Sequence, residues 1–302
     1  MTAKSTRAAG VEAGRPGIAW AAPALLFFGF FALVPMLAVV YLSFTSYDGL
    51  NPPQWVGLQN WLALAGDSVF LDSLRLSGTL TVLSWAVQTA IALPLGVYLA
   101  GPGRSRAVLA AIFFVPLLMS GAAIAVLWRT LFDPNFGLAS VLGPLVGVDD
   151  GNFIGDESLA FYSALFVISW QFMPFHTLLY QAATRAIPES LYEAATLDGA
   201  NRWRQFRSVT VPQLRDTIIT SSVLMIVGSL TYFEVVLILT GGGPGTATRI
   251  LPLHMYLEGF RSFQMGYASA LAVVLLVIGT VLSLVITRVT GYRRMTSQRE
   301  GM

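Results

Sequence analysis

The spacing of charges constrains this chain more than any other feature. No Asp, Glu, Lys or Arg occurs between Arg15 and Asp48, between Arg75 and Arg104, between Arg106 and Arg129, between Glu157 and Arg185, or between Arg261 and Arg288. A helix rises 1.5 Å per residue, so crossing ~30 Å of hydrocarbon takes about 20 residues, and each window is long enough. A sixth stretch runs uncharged for 17 residues from Thr217 to Phe233, meets Glu234, and resumes from Val235 to Thr240. The expected architecture is an all-α integral membrane protein with six transmembrane helices, at about 20–46, 76–100, 107–132, 158–183, 217–240 and 264–289. Composition agrees: 55% of residues are hydrophobic and 11% charged, too few charges to cover a soluble globule, which usually has roughly 25%.

The same composition excludes much chemistry. Cys is absent, which removes disulfide scaffolds and the usual zinc and iron–sulfur sets. The only lysine is Lys4, so no phosphate-cradling G-x-x-x-x-G-K-[ST] loop can be written. His176 and His254 stand far apart in sequence, and no H-E-x-x-H or G-x-S-x-G motif occurs. The chain is expected to have no catalytic residue and no metal site.

Arginine placement orients the spans. With both termini in the cytoplasm, 14 of the 18 basic residues fall on that side, leaving Arg75, Arg129, Arg249 and Arg261 outside with most of the acids. The bias suits an inner leaflet and does not indicate nucleic acid. The first apolar stretch is too long for a signal-peptide core and lacks a cleavage site, so it reads as a retained helix. The tails 1–19 and 291–302 are cytoplasmic on this reading, and 20–290 is the membrane domain. Outer loops cover about 47–75, 133–157 and 241–263. In the second, Phe136, Leu138, Val141, Leu142, Leu145 and Val146 are spaced for one helical face; this fits a short helix in the interface or a loop packed on the bundle. Gly241–Gly245 has no following lysine and reads as an outer turn.

The connection 184–216 is the most informative segment. Pro188 suits the first turn of a helix, Leu191, Ala194 and Ala195 then share a face, and Asp198–Gly199 ends it, with Gly able to take positive φ. A second short helix follows, with Trp203 and Phe206 on one side among Arg202, Arg204 and Arg207; Pro212 is expected to break it before the fifth span. A helix–turn–helix with small residues, a carboxylate and an aromatic pair suits a cleft on a cytoplasmic partner.

Glu193-Ala194-Ala195, three residues, Gly199, nine residues, then Val209, Val211 and Pro212 resembles the cytoplasmic loop of binding-protein-dependent ABC importer permeases. Residues 187–200, the Leu239–Gly245 text and Trp55–Trp61 resemble the maltose-type carbohydrate importers; the resemblance runs from about Ala22 to Arg288. It implies that Glu193, Ala194, Ala195, Asp198, Gly199, Phe206 and Pro212 belong to a coupling element seated in a groove of a separate ATPase. It also implies a second, non-identical permease subunit, two cytoplasmic ATPase subunits holding ATP and Mg, and an external solute-binding protein. The chain itself would bind no cofactor, catalyse nothing, and sit in a bacterial inner membrane.

Polar residues within spans face the protein interior or a water-filled path. Ser222, Met225, Ser229 and Tyr232 share a face of span five; Ser163, Trp170, Pro174, Thr177 and Gln181 do so in span four, beside Gln171; Ser77, Thr81, Ser84 and Gln88 do so in span two. Trp170, Gln171, Met225, Ser229, Tyr232 and Glu234 are the candidates for the solute path, offering hydroxyl partners and an aromatic plate to a sugar. Helix–helix hydrogen bonding is the alternative for each. An ionised Glu234 exposed to lipid would cost about 2.5–3.5 kcal/mol, so it must meet a partner group, water or a solute. His176 reads as a buried, hydrogen-bonded imidazole. The expected function is import of a neutral di- or oligosaccharide, since no span carries a central arginine for an anion; an ion-coupled secondary transporter of a small polar solute is the alternative.

Overall fold

The computed structural model describes residues 20–289; the expected tails 1–19 and 291–302, with their basic residues, lie outside the described residues. The first apolar stretch is a continuous helical rod: Ala22–Phe28 (α1), a π turn Gly29–Leu33, and Val34–Leu42 (α2). Pro23 and Pro35 sit where their helical segments begin. The wider π turn carries the chain past Pro35, whose missing N–H would otherwise interrupt the ladder. No residue of this rod before Ser43 is buried. A two-residue pair follows, β1 (Thr45–Ser46) antiparallel to β2 (Gln54–Trp55) with Thr45 opposite Trp55, then α3 (Gln59–Gly66).

The scaffold is built on two long helices. In α4 (Ser68–Ala100), the Asp67 side chain caps the start by accepting from Val69 N–H. At 33 residues it is about 50 Å long, so it projects beyond any bilayer core. Next come α5 (Arg104–Phe113), a 3-10 turn Val115–Leu118, α6 (Gly121–Leu131) and the single turn α7 (Ala139–Leu142). The second long helix, α8 (Glu157–Arg185), is capped by Asp156. Helices α4 and α8 form the most extensive contact of the fold. Gly96 permits this: a Cβ there would lie 2.7 Å from Tyr180 Cβ and 2.8 Å from the Thr177 carbonyl. The pair is tied further by Gln181 Nε2, which donates to the Leu99 carbonyl at 2.9 Å.

The chain continues through α9 (Glu189–Leu197), α10 (Arg202–Gln205), α11 (Val211–Gln213), α12 (Arg215–Ser229), α13 (Phe233–Leu239), α14 (Leu251–Tyr256) and α15 (Met265–Val289). Among the described residues, four helical stretches are each long and apolar enough to cross a bilayer: α1–α2, α4, α8 and α15. The bent pair α12–α13, turned by 50°, makes a fifth.

Three departures from the sequence expectations matter. Residues 107–132 are not one helix. Pro116 and the extended Met119–Ser120 backbone divide them into α5 and α6, with Ser120 capping α6 by accepting from Ala123 N–H. Residues 217–240 break at Leu230–Tyr232. The segment 241–263 is not an open loop: after the Gly241–Gly245 turn, α14 and a π turn Leu257–Arg261 fold back into the bundle, where Leu251 and Leu253 are fully buried. In the loop after α6, Phe136, Val141, Leu145 and Val146 remain exposed, so the reading in which they pack on the bundle is not followed.

The main core lies where α4, α6, α8, α13 and α14 meet, around Leu80, Ile124, Ile168, Val235, Val236 and Leu253.

Candidate functional site

Two places combine exposure with unusual chemistry. The first is α9 together with the helical segment 202–213. Pro188 directly precedes α9 with extended ψ, one position earlier than the sequence suggested. The helix ends at Asp198, and Gly199 adopts φ +77°, a conformation that favours glycine. Tyr192 Oη and Thr210 Oγ1 meet at 3.0 Å, and Gln205 Nε2 donates to Thr196 Oγ1 at 3.0 Å, so α9 is fastened to the next helical segment. Its other face is free: Glu193, Ala194, Asp198 and Gly199 are exposed, Ala195 is half-buried, and Leu197 is 89% exposed. Trp203 stacks on half-buried Phe206 with ring centres 5.6 Å apart. Pro212 does not break this second helix. A π turn at Phe206–Thr210, closed by Val211 N–H on the Phe206 carbonyl, widens the backbone, and Pro212 sits at the start of α11. The turn of the chain comes at Leu214, just before α12.

The second place is the level at which both broken helices restart. Helices α6 and α13 begin beside one another and pack together. Gly121 opens α6 against the carboxylate of Glu234 in the first turn of α13: a Cβ at 121 would lie 2.9 Å from Glu234 Oε2 and 3.4 Å from Gln171 Nε2. Gln171 is buried and its Oε1 has no partner; Glu234 is exposed. Broken backbone within a membrane is tolerated where protein surrounds it or where it lines a water-filled cavity.

The six proposed path residues do not form one cluster. Glu234 and Gln171 converge at Gly121. Tyr232 is buried and stacks on Phe172 at 4.7 Å. Trp170 is half-buried and meets Trp128 edge-on at 5.4 Å. Ser229 and Met225 are buried against α4: Ser229 Oγ meets Thr81 Oγ1 at 2.6 Å, and Thr89 Oγ1 donates to Met225 Sδ at 3.4 Å. His176 is buried with Nδ1 2.9 Å from Ser221 Oγ. The sequence reading missed Gly121 and the buried stretch 250–254. For the first, the Pro116-to-Gly121 interval was the available signal; for the second, it was the apolar run Ile250–Leu253 with a proline in it.

A bundle of long apolar helices, two of its stretches broken midway, with a short exposed helical pair at one end, defines a multi-pass membrane protein. The chain belongs to the family described as binding-protein-dependent transport system inner membrane component, whose model matches residues 92–291. It is 35% identical to a probable ABC transporter permease protein of Bacillus subtilis, over 87% of this chain and 91% of that one. It is 29% identical to a trehalose/maltose transport system permease protein of Thermococcus litoralis, over 87% and 90%. The fold resembles a chain of a bacterial alginate ABC transporter crystallised with an alginate-bound periplasmic protein, with TM-score 0.80, 22% identity, and 92% and 95% of the two chains covered.

Proposed function

We propose that the chain is one of two permease subunits of an ABC importer that carries a neutral di- or oligosaccharide across the bacterial inner membrane. Both termini face the cytoplasm, the sixth crossing is made jointly by α5 and α6, and α9 is the coupling helix. Two ATPase subunits holding ATP and Mg dock on it, a second, non-identical permease completes the pore, and an external binding protein delivers the sugar at the opposite end.

The observation that carries this reading is the free face of α9. An exposed Leu197 on the same short helix as Ala194 and ahead of Gly199, with Trp203 exposed on the following segment, offers apolar and small residues to close approach by another protein. Glu193 stands at its edge, able to accept hydrogen bonds from a basic partner group. Movement of α9 is transmitted through Tyr192, Thr210 and Phe206 into α12, and through α12 to the break at Leu230–Tyr232. Glu234 and Gln171, converging at Gly121, then offer hydrogen-bond partners to the hydroxyls of a sugar. The carbohydrate class is supported by the maltose-type motifs and by the sugar-transport names of relatives.

The test is Glu193→Lys in the reconstituted complex. Sugar-stimulated ATP hydrolysis is lost while membrane insertion is retained. Full stimulation in this variant overturns the coupling role, and cross-links from position 194 that capture only copies of this chain overturn the partner assignment.

A further inference from the structure

Helices α4 and α8 end side by side, where Arg185 Nε donates to the Ala100 carbonyl at 3.3 Å. The segment that carries α9 lies against these two ends, and a cavity of about 450 Å³ is enclosed between them. Its apolar wall is made by Val97 and Ala100 of the last turn of α4, Ile187 after α8, and Phe206. Its charge comes from Arg185, Arg202 and Glu189.

Most polar groups of the wall are already engaged by the protein. Thr184 Oγ1 donates to the Tyr180 carbonyl at 2.7 Å, Tyr192 Oη and Thr210 Oγ1 meet at 3.0 Å, and Gln205 Nε2 donates to Thr196 Oγ1 and to the Ala200 carbonyl. The guanidiniums are not. Arg185 makes only its Nε hydrogen bond, which leaves both terminal nitrogens to donate elsewhere. Arg202 has no side-chain hydrogen bond or ion pair among the described residues, and Glu189 pairs with neither arginine. A third guanidinium stands at the wall: a Cβ on Gly101 would run into Arg106, which also lies over the Tyr98 ring at 4.7 Å.

Free guanidinium forks match the oxygens of a phosphate. An apolar wall beside them does not suit a free hydrated anion. The cavity lies where two long apolar spans stop, at the boundary between hydrocarbon and water. A glycerophospholipid puts a phosphate next to an apolar body at that depth, and basic pockets between transmembrane helices take such head groups. Two guanidiniums and one carboxylate in the wall leave one net positive charge, which complements the single negative charge of a phosphodiester head. Glu189 can accept from a hydroxyl of that head.

We propose that this cavity binds the phosphate and glycerol of an anionic phospholipid, with Arg185 and Arg202 holding the phosphate against the apolar wall. The bound lipid touches α4, α8 and the α9 segment together, so it bridges the scaffold and the docking element. Its leaflet and any effect on coupling rest on the transport reading; its occupancy does not.

The test uses the complete complex in nanodiscs made from an equal mixture of phosphatidylglycerol and phosphatidylcholine. Native mass spectrometry after release from the disc counts the lipids retained. Phosphatidylglycerol should be retained in preference to phosphatidylcholine. Arg185→Gln with Arg202→Gln should lower that retention about tenfold or more. Arg202→Gln alone, which removes no contact within the chain, should lower it in the same direction without disturbing the fold. Arg204→Gln with Arg207→Gln removes as much charge from exposed positions outside the cavity wall and should leave it unchanged. Excess inorganic phosphate should not displace the lipid. Equal retention of both lipids by the wild type, or an equal loss in the Arg204 and Arg207 pair, overturns the site in favour of diffuse surface charge. Displacement by inorganic phosphate overturns the lipid assignment and makes the cavity a free-anion site. ATP hydrolysis stimulated by the binding protein and sugar, measured on the same complex, reports separately on the transport reading. Its absence beside selective lipid retention overturns that reading and leaves the lipid site standing.

Discussion

The two connectors flanking α12–α13 have similar length and opposite character. Residues 186–214 present their chemistry outward, with Glu193, Ala194, Leu197 and Trp203 exposed. Residues 240–264 turn theirs inward, with Leu251, Leu253 and His254 buried and bound to α4 and α15. The inward connector is stabilised by contacts within this chain. The outward one leaves apolar surface uncovered, which is the condition of a surface completed by another molecule.

The sharpest challenge to the contrast is Ala194→Trp. A bulky ring on the free face should abolish sugar-stimulated ATP hydrolysis in the reconstituted complex while thermal stability stays within about 0.5 kcal/mol. A matched loss of stability would show that α9 packs on its own bundle. Leu253→Ala makes the reverse case. It empties a fully buried site and should cost about 2–5 kcal/mol, read as a lowered unfolding midpoint in detergent. Gly199→Ala falls between them: no atom lies within 4 Å of the new Cβ, so the only penalty is the left-handed backbone, about 1–2 kcal/mol. The smallest expected effect is Leu197→Ser. Its stability should be unchanged within about 0.5 kcal/mol, while cross-linking from position 194 to the ATPase weakens. If Leu197→Ser destabilises the isolated chain as Leu253→Ala does, the two connectors are not different in kind.

The legible parts of this molecule were those written in local chemistry. The charge-free windows marked where apolar helices lie, and the Glu193–Gly199 spacing marked a short helix and its end, because a small-residue helix ended by a glycine in a turn is specified by its own few residues. The breaks were not legible. Pro116 and the Leu230–Tyr232 turn sit inside apolar runs, and hydropathy is blind to the path of the backbone. The face shared by Ser222, Met225, Ser229 and Tyr232 was visible as a stripe. Which neighbour that stripe meets was not, since Ser229 pairs with Thr81 across 148 positions of sequence.

The sequence by itself determined that this chain lives in a bilayer and where the short helix before Gly199 ends, because both depend on residue type and spacing along one helix. Only the tertiary structure decided that Glu234, Gln171 and Gly121 converge where two half-helices restart, and that Asp67, His254 and Tyr267 share one carboxylate. Those groups are far apart in the chain, and their meeting is set by how α4 and α8 pack and by where the broken helices resume.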